Sequence, residues 1–113
     1  MIFLFRVDVK MSICWVHFFL GRYQDNIDFL DLCRAVLSDE ERLRASRYLS
    51  PEHGAYFILR RGCLRFILGH VLQISPNRVE LQQNDFGKVV LADRSDCCFN
   101  ISHTKDRFLI AWV

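Results

Sequence analysis

Apolar residues alternate near the start of the chain. Val7, Val9, Met11, Ile13 and Trp15 take every second position, and a second, largely apolar set interleaves with them. This pattern predicts a strand suited to burial on both faces. After Gly21 the period lengthens: Ile27, Phe29, Leu30, Cys33 and Val36 recur at helical spacing, with Asp25 and Asn26 as candidate N-caps. Ser38-Asp39-Glu40-Glu41 has the form of a capping box. There the Ser38 hydroxyl and the Glu41 carboxylate each satisfy an otherwise unpaired backbone N–H, worth roughly 1 kcal/mol. The helix it opens carries Arg42, Arg44 and Arg47. Ser50-Pro51 then starts another, with proline at the first helical position, where its missing N–H costs nothing.

The helix from Pro51 to about Gln73 is the longest predicted element. Phe57, Leu64, Leu68 and Val71 form one stripe, and Arg61 lies inside it, where a cation needs a partner or an exit to solvent. Leu59 and Phe66 make a second apolar face, so this helix wants cover on two sides. Beyond it the punctuation is that of strands: a turn at Ser75-Pro76-Asn77, a strand from Val79 to Gln83, a turn at Asn84-Asp85-Phe86-Gly87, and a strand from Lys88 to Leu91. A loop from Asp93 to Asp96 leads to Cys97–His103, a Thr104-Lys105-Asp106 turn and Arg107–Val113, most simply a hairpin. The fold class is α+β, an early strand followed by helices and then antiparallel strands. One strand is unusual. In Phe99-Asn100-Ile101-Ser102-His103, Phe99 and Ile101 face one side while Asn100 and Ser102 set a polar ledge on the other. Val113 falls in mid-strand with no polar tail after it, which reads as a cut in a longer chain.

With 113 residues there is room for one domain and one core. The net charge of +2 is too balanced to argue by itself for nucleic acid or an anionic membrane, so any basic site must be local. Ten phenylalanines within a 51% hydrophobic composition imply that some apolar surface is destined for a partner. The five cysteines show no CxxC or zinc-finger spacing and read as reduced core thiols of a cytoplasmic protein. His17, His53 and His70 lack metal spacing and receive no role. Arg6, Asp8 and Lys10 interrupt the apolar N-terminus, which leaves it too short to span a membrane and a poor signal peptide. Met11 is an alternative start to Met1.

Taken in order, LSDEERLRASRY, FILRRGCLRFIL, FGKVVL and CCFNISHTKDRFLIAWV resemble the N-terminal half of Sfp-type 4′-phosphopantetheinyl transferases, over about Ile13 to Val113. The FN-x-SH element is the most specific, the Gly-Lys turn the next, and the helix pair is supporting context. The resemblance implies one lobe of a two-lobed, pseudo-dimeric fold. It implies an enzyme that moves the phosphopantetheine arm of coenzyme A onto a serine of an acyl or peptidyl carrier protein. Residues matching Asn100, Ile101, Ser102 and His103 would contact the adenosine 3′-phosphate region, as would a basic residue matching Arg44. Gln83 to Lys88 would shape the nucleotide pocket, with Gly87 and Lys88 at its turn. The chemistry agrees, because a phosphomonoester and a pyrophosphate call for a guanidinium, an ammonium, a hydroxyl and an imidazole. Arg44, Lys88, Ser102 and His103 supply one of each.

The departures are equally informative. Val89 stands where the family commonly has proline after Gly-Lys. The family's Gly-x-Asp-x-Glu strand, which supplies Mg²⁺ carboxylates, and its later Lys-Glu helix fall beyond the position of Val113. The resemblance therefore implies the coenzyme A nucleotide-binding side of a transferase, inactive alone, with its C-terminal catalytic lobe absent or on a separate chain. Leu59 and Phe66 are then expected to pack on that missing lobe. By spacing alone, Ser102-His103 is an ordinary strand end, Lys88 a hairpin turn, and Arg42, Arg44 and Arg47 a solvated helix face. Arg60, Arg61 and Arg65 read as structural, pairing with acidic residues or capping helices, with Arg61 the foremost ion pair. Two other classes stand beside the transferase. One is a non-catalytic remnant or interaction domain; the other is a helix-turn-helix placing the arginines of Ser38–Arg47 and Pro51–Arg65 on nucleic-acid phosphates.

Overall fold

The structure is a computed structural model that describes residues 9–11, 14–92 and 97–113. The α+β expectation holds. The chain forms two compact units, a helical one from Tyr23 to Val79 and a strand unit built from the segments on either side of it. The loop expected at Asp93 to Asp96, and Val7 and Ile13 of the first strand, lie outside the described residues.

The helical unit opens with a 3-10 turn, Gln24–Phe29, that runs into α1, Leu30–Val36. Neither Asp25 nor Asn26 caps it, contrary to expectation. Tyr23 is the N-cap residue, and the Asn26 N–H closes the turn on the Tyr23 carbonyl at 3.1 Å, which draws Asn26 inside the turn and buries it. Helix α2, Asp39–Ser46, starts as the sequence requires: Ser38 Oγ accepts from the Glu41 N–H at 3.1 Å, and Glu41 Oε1 accepts from the Ser38 N–H at 2.8 Å. Helix α3, Pro51–Leu72, follows Ser50 and ends at Gln73, whose φ of 57° is the left-handed stop usual at helix C-termini.

Phe57, Leu64 and Leu68 are buried along the predicted stripe, and Val71 at its end is 38% exposed. The second face turns out differently. Leu59 is fully buried within this chain and does not await an outside partner. Its side of α3 is covered by α1, where Cys33 Sγ lies 3.8 Å from the Leu59 carbonyl oxygen and against Gly62. A Cβ on Gly62 would come 2.3 Å from the Cys33 Cβ, so glycine is what allows the two helices to approach this closely. Phe66, farther along, stays 41% exposed.

In the strand unit, β1 (Val9–Met11), β2 (Cys14–Arg22), β5 (Phe99–His103) and β6 (Arg107–Trp112) form an antiparallel sheet in the order β1-β2-β6-β5. The predicted single early strand is thus two, with Met11 opposite Cys14. The burial expected on both faces of the segment from Val7 to Trp15 lies outside the described side chains. Farther along β2, Phe19 and Gly21 are buried while Leu20 and Arg22 are exposed, the alternation of a strand with one buried face. The register builds that face in rows, Phe19 with Ile110 and Ile101, and Gly21 with Phe108 and His103. The Phe108 ring lies over Gly21, where a Cβ would meet it at 2.7 Å. Strands β3 (Leu81–Gln83) and β4 (Val89–Leu91) pair as a separate hairpin.

Candidate functional site

Of the six residues singled out from the sequence, five lie in the strand unit and Arg44 lies on α2 in the helical unit. Asn100, Ser102 and His103 sit on β5, an edge strand. The register divides them. Asn100 and Ser102 share a face with Ala111, Leu109, Phe18 and Leu20, whereas His103 shares the opposite face with Phe108 and Gly21. Asn100 and Ser102 are exposed, and neither side chain hydrogen-bonds to a described residue. The polar ledge therefore exists, at an edge where its donors and acceptors are open to solvent. His103, also exposed, closes the strand at its last paired position.

Gly87 and Lys88 belong to the β3–β4 turn. Asn84 Oδ1 accepts from the backbone N–H groups of Phe86 and Lys88 at 3.0 and 2.9 Å, and the Asn84 carbonyl accepts from Gly87 at 2.9 Å. Gly87 has φ of +79°, and nothing lies within 4 Å of the point a Cβ would occupy, so glycine is required here by conformation. The Lys88 side chain is exposed, as is Phe86 at the tip.

The helical unit gathers cations. Glu41, the carboxylate of the capping box, also receives Arg65 Nε at 2.7 Å and Arg61 Nη1 at 3.0 Å. Arg65 Nη1 donates to the carbonyls of Pro76 and Val79. Burial pushes the Glu41 carboxyl up, but the Ser38 N–H and the Arg65 and Arg61 guanidiniums outweigh it and hold it below the ordinary carboxylate range. Burial likewise lowers the Arg61 pKa, against the pull of Glu41, and the charges of Arg44 and Arg65 lower it further. The expected Arg61 ion pair is present, and Arg65 joins it.

Arg60 departs from expectation, since it pairs with no carboxylate among the described residues. Its Nη1 and Nη2 donate to the hydroxyls of Tyr23 and Tyr48, each at 3.3 Å. Arg44, Arg60 and Arg61 all lie against the buried Phe57 ring, their guanidinium carbons 5.0, 5.4 and 5.1 Å from its centroid. The spacing of Phe57 to Arg60 and Arg61 on one helix signals part of this cluster. Nothing local announces Arg44 or the tyrosines. Arg42 has a different task, reaching the carbonyls of Arg34 and Ala35 at the end of α1. With Arg61 and Arg65 buried on Glu41, the helix-turn-helix reading loses two of its phosphate-binding cations.

Cys33, Cys63 and Cys97 are buried free thiols, as the composition implied, but Cys98 is exposed because it precedes the edge strand. A hydrogen bond with Cys33 and burial push the Cys63 thiol well above its ordinary range, keeping it protonated. No described helix is long and apolar enough to cross a membrane.

No family model matches the chain. Two curated proteins do. The 4′-phosphopantetheinyl transferase HetI of Nostoc sp. is 41% identical over 80 residues, covering 68% of this chain and 34% of that protein. A putative 4′-phosphopantetheinyl transferase, slr0495 of Synechocystis sp., is 33% identical over 79 residues, covering 68% of this chain and 32% of that protein. The chain thus spans about a third of the length of these relatives. On this likeness, which runs through about two thirds of its residues, the chain belongs to the 4′-phosphopantetheinyl transferase family.

Proposed function

We propose that this chain is the coenzyme A nucleotide-binding side of a 4′-phosphopantetheinyl transferase. The whole enzyme moves phosphopantetheine from coenzyme A to a serine of an acyl or peptidyl carrier protein in the cytoplasm, and adenosine 3′,5′-bisphosphate leaves. The observation that carries the reading is the ledge on β5, where Asn100 and Ser102 present side chains uncommitted to any described residue. An exposed amide and hydroxyl on an edge strand match the needs of a phosphorylated sugar, which takes several directional hydrogen bonds at once. His103 and Lys88, which belong to the same unit, would add cationic or donor groups.

Mg²⁺ on the pyrophosphate would supply charge neutralisation in such a transfer. Among the described residues, no three His, Cys, Asp or Glu side chains gather in a way that could hold a metal ion, so these residues do not fit that role. In this reading the metal ligands and the base come from a complementary lobe, and the chain alone binds without turnover. Calorimetric titration with coenzyme A and with adenosine 3′,5′-bisphosphate tests it. Binding of both without Mg²⁺, weakened by His103→Ala and by Lys88→Ala, is the expected result. A folded chain that binds neither would overturn it.

A further inference from the structure

The two edges of the four-stranded sheet differ. At one, β1 is three residues long with Lys10 at its centre, a short charged edge of the kind that resists pairing with another chain. At the other, β5 contains no lysine or proline and matches β6 residue for residue without a bulge. None of the usual guards against strand addition stands on it.

Two bonds fix the direction of its backbone groups. The Thr104 N–H donates to the Arg107 carbonyl at 2.8 Å, and the Val113 N–H to the Cys98 carbonyl at 3.0 Å. Hydrogen-bonded pairs alternate along an antiparallel ladder, so Asn100 and Ser102, in step with Cys98 and Thr104, turn their N–H and C=O groups toward β6. Phe99, Ile101 and His103 turn theirs toward the sheet edge. The same three side chains lie on the core face, where Phe99 and Ile101 are only half-buried.

A second copy of this strand complements it in one register. A closed pair of identical chains has a two-fold axis, so two β5 strands meet antiparallel. With Ile101 opposite Ile101 of the second copy, each outward-facing residue meets another: Phe99 falls opposite His103, and His103 opposite Phe99. A slip of one residue sets them against positions already bonded to β6 and reverses the faces. A slip of two sets one of the three against a residue outside the strand. In the central register Asn100 of each copy stands beside Ser102 of the other, an amide and a hydroxyl able to hydrogen-bond across the strands. Phe99–His103 holds no Asp, Glu, Lys or Arg, so no fixed like charges oppose each other.

We infer that β5 is a self-association site, where two copies of this chain pair antiparallel about Ile101 and join their sheets edge to edge. The strand is short, so the dimer is weak and depends on concentration. The pairing stands on strand geometry alone and holds whether or not the ledge takes a nucleotide.

Sedimentation equilibrium of the whole 113-residue chain over a wide concentration range tests the site. A reversible monomer–dimer equilibrium is expected. Two double variants at exposed positions read the register: Asn100→Asp with Ser102→Asp, and Asn100→Lys with Ser102→Lys. Each sets like charges directly opposite at two places and should weaken dimerisation about tenfold. Mixed in equal amounts, the acidic and basic chains should pair with each other, more weakly as salt is added. Amide hydrogen exchange of the parent chain gives a readout without substitution. The Ile101 N–H should gain protection as concentration rises, while the Asn100 N–H, already bonded to β6, should change little. A parent chain that stays monomeric throughout overturns the inference. A dimer in which the Ile101 N–H stays unprotected, or which both folded variants form with parental affinity, also overturns it, because the contact then lies on another surface. Failure of the two folded, oppositely charged variants to pair overturns the register.

Discussion

Arg65 Nε donates at 2.7 Å to Glu41 Oε1, the same oxygen that accepts the Ser38 N–H and closes the N-terminus of α2. One atom thereby joins a local cap to a contact between α2 and α3. Both side chains of the pair are buried, with 4% and 9% of their surface exposed, and Arg61 completes the triad on the second oxygen.

Deleting only one member of this triad strands charge. Glu41→Ala leaves two buried guanidiniums without a carboxylate and also opens the capping box, so a loss of about 3–5 kcal/mol is expected in urea unfolding. Ser38→Ala, which removes only the cap acceptor, should cost about 1 kcal/mol. Equal costs for the two variants would count against the triad.

Acid should unfasten the same contact. The folded-state pKa of Glu41 lies below its ordinary value of 4.5, so its contribution is fully present above that value. It is lost as pH falls through the lower, folded value. Glu41→Gln should flatten the acid limb of the stability profile, which thermal melts from about two units below to about two units above the ordinary carboxylate range would read.

Gly62→Ala is expected to destabilise strongly despite the better helix propensity of alanine. The added methyl would sit 2.3 Å from the Cys33 Cβ and 2.7 Å from its Cα. Overpacking of this kind costs about 1–3 kcal/mol. Cys33→Gly should rescue only part of it, because the Cα of residue 33 still obstructs. Full rescue would mean that the helices separate freely.

The two left-handed positions should respond in opposite directions. Gly87→Ala at φ +79° is expected to cost roughly 1 kcal/mol although the space is open, since the penalty is in the backbone. Gln73→Gly at φ 57° should gain a few tenths, about the left-handed penalty less the loss of the Gln73 Nε2 bond to the His70 carbonyl. Chemical denaturation of both variants decides.

Local devices were legible in the sequence and distant ones were not. The capping box, the length of α3 and the final hairpin each depend on residues a few positions apart, and each appears where the pattern put it. The reversal between β1 and β2 carries no glycine, proline or asparagine to mark it, so alternation ran straight through it. The partners of Arg60 stand 37 and 12 residues away, and no spacing rule links a guanidinium to a tyrosine hydroxyl across such gaps. On β5 the period of two already separated Ser102 from His103, whereas family likeness had grouped them as one set. Leu59 misled because amphipathicity identifies a face needing cover without saying that α1 provides it.

The pairing of Phe19 with Ile110 joins two neighbouring strands that are separated in sequence by the entire helical unit. Closing so long a loop is slow relative to forming helix contacts, so α1, α2 and α3 should assemble first as the chain emerges. Strand β2 is made before them yet has to wait for β6. During synthesis it is an unpartnered apolar ribbon beyond β1, and the time until β6 emerges is the interval in which the nascent protein is most exposed to chaperones and to misassociation.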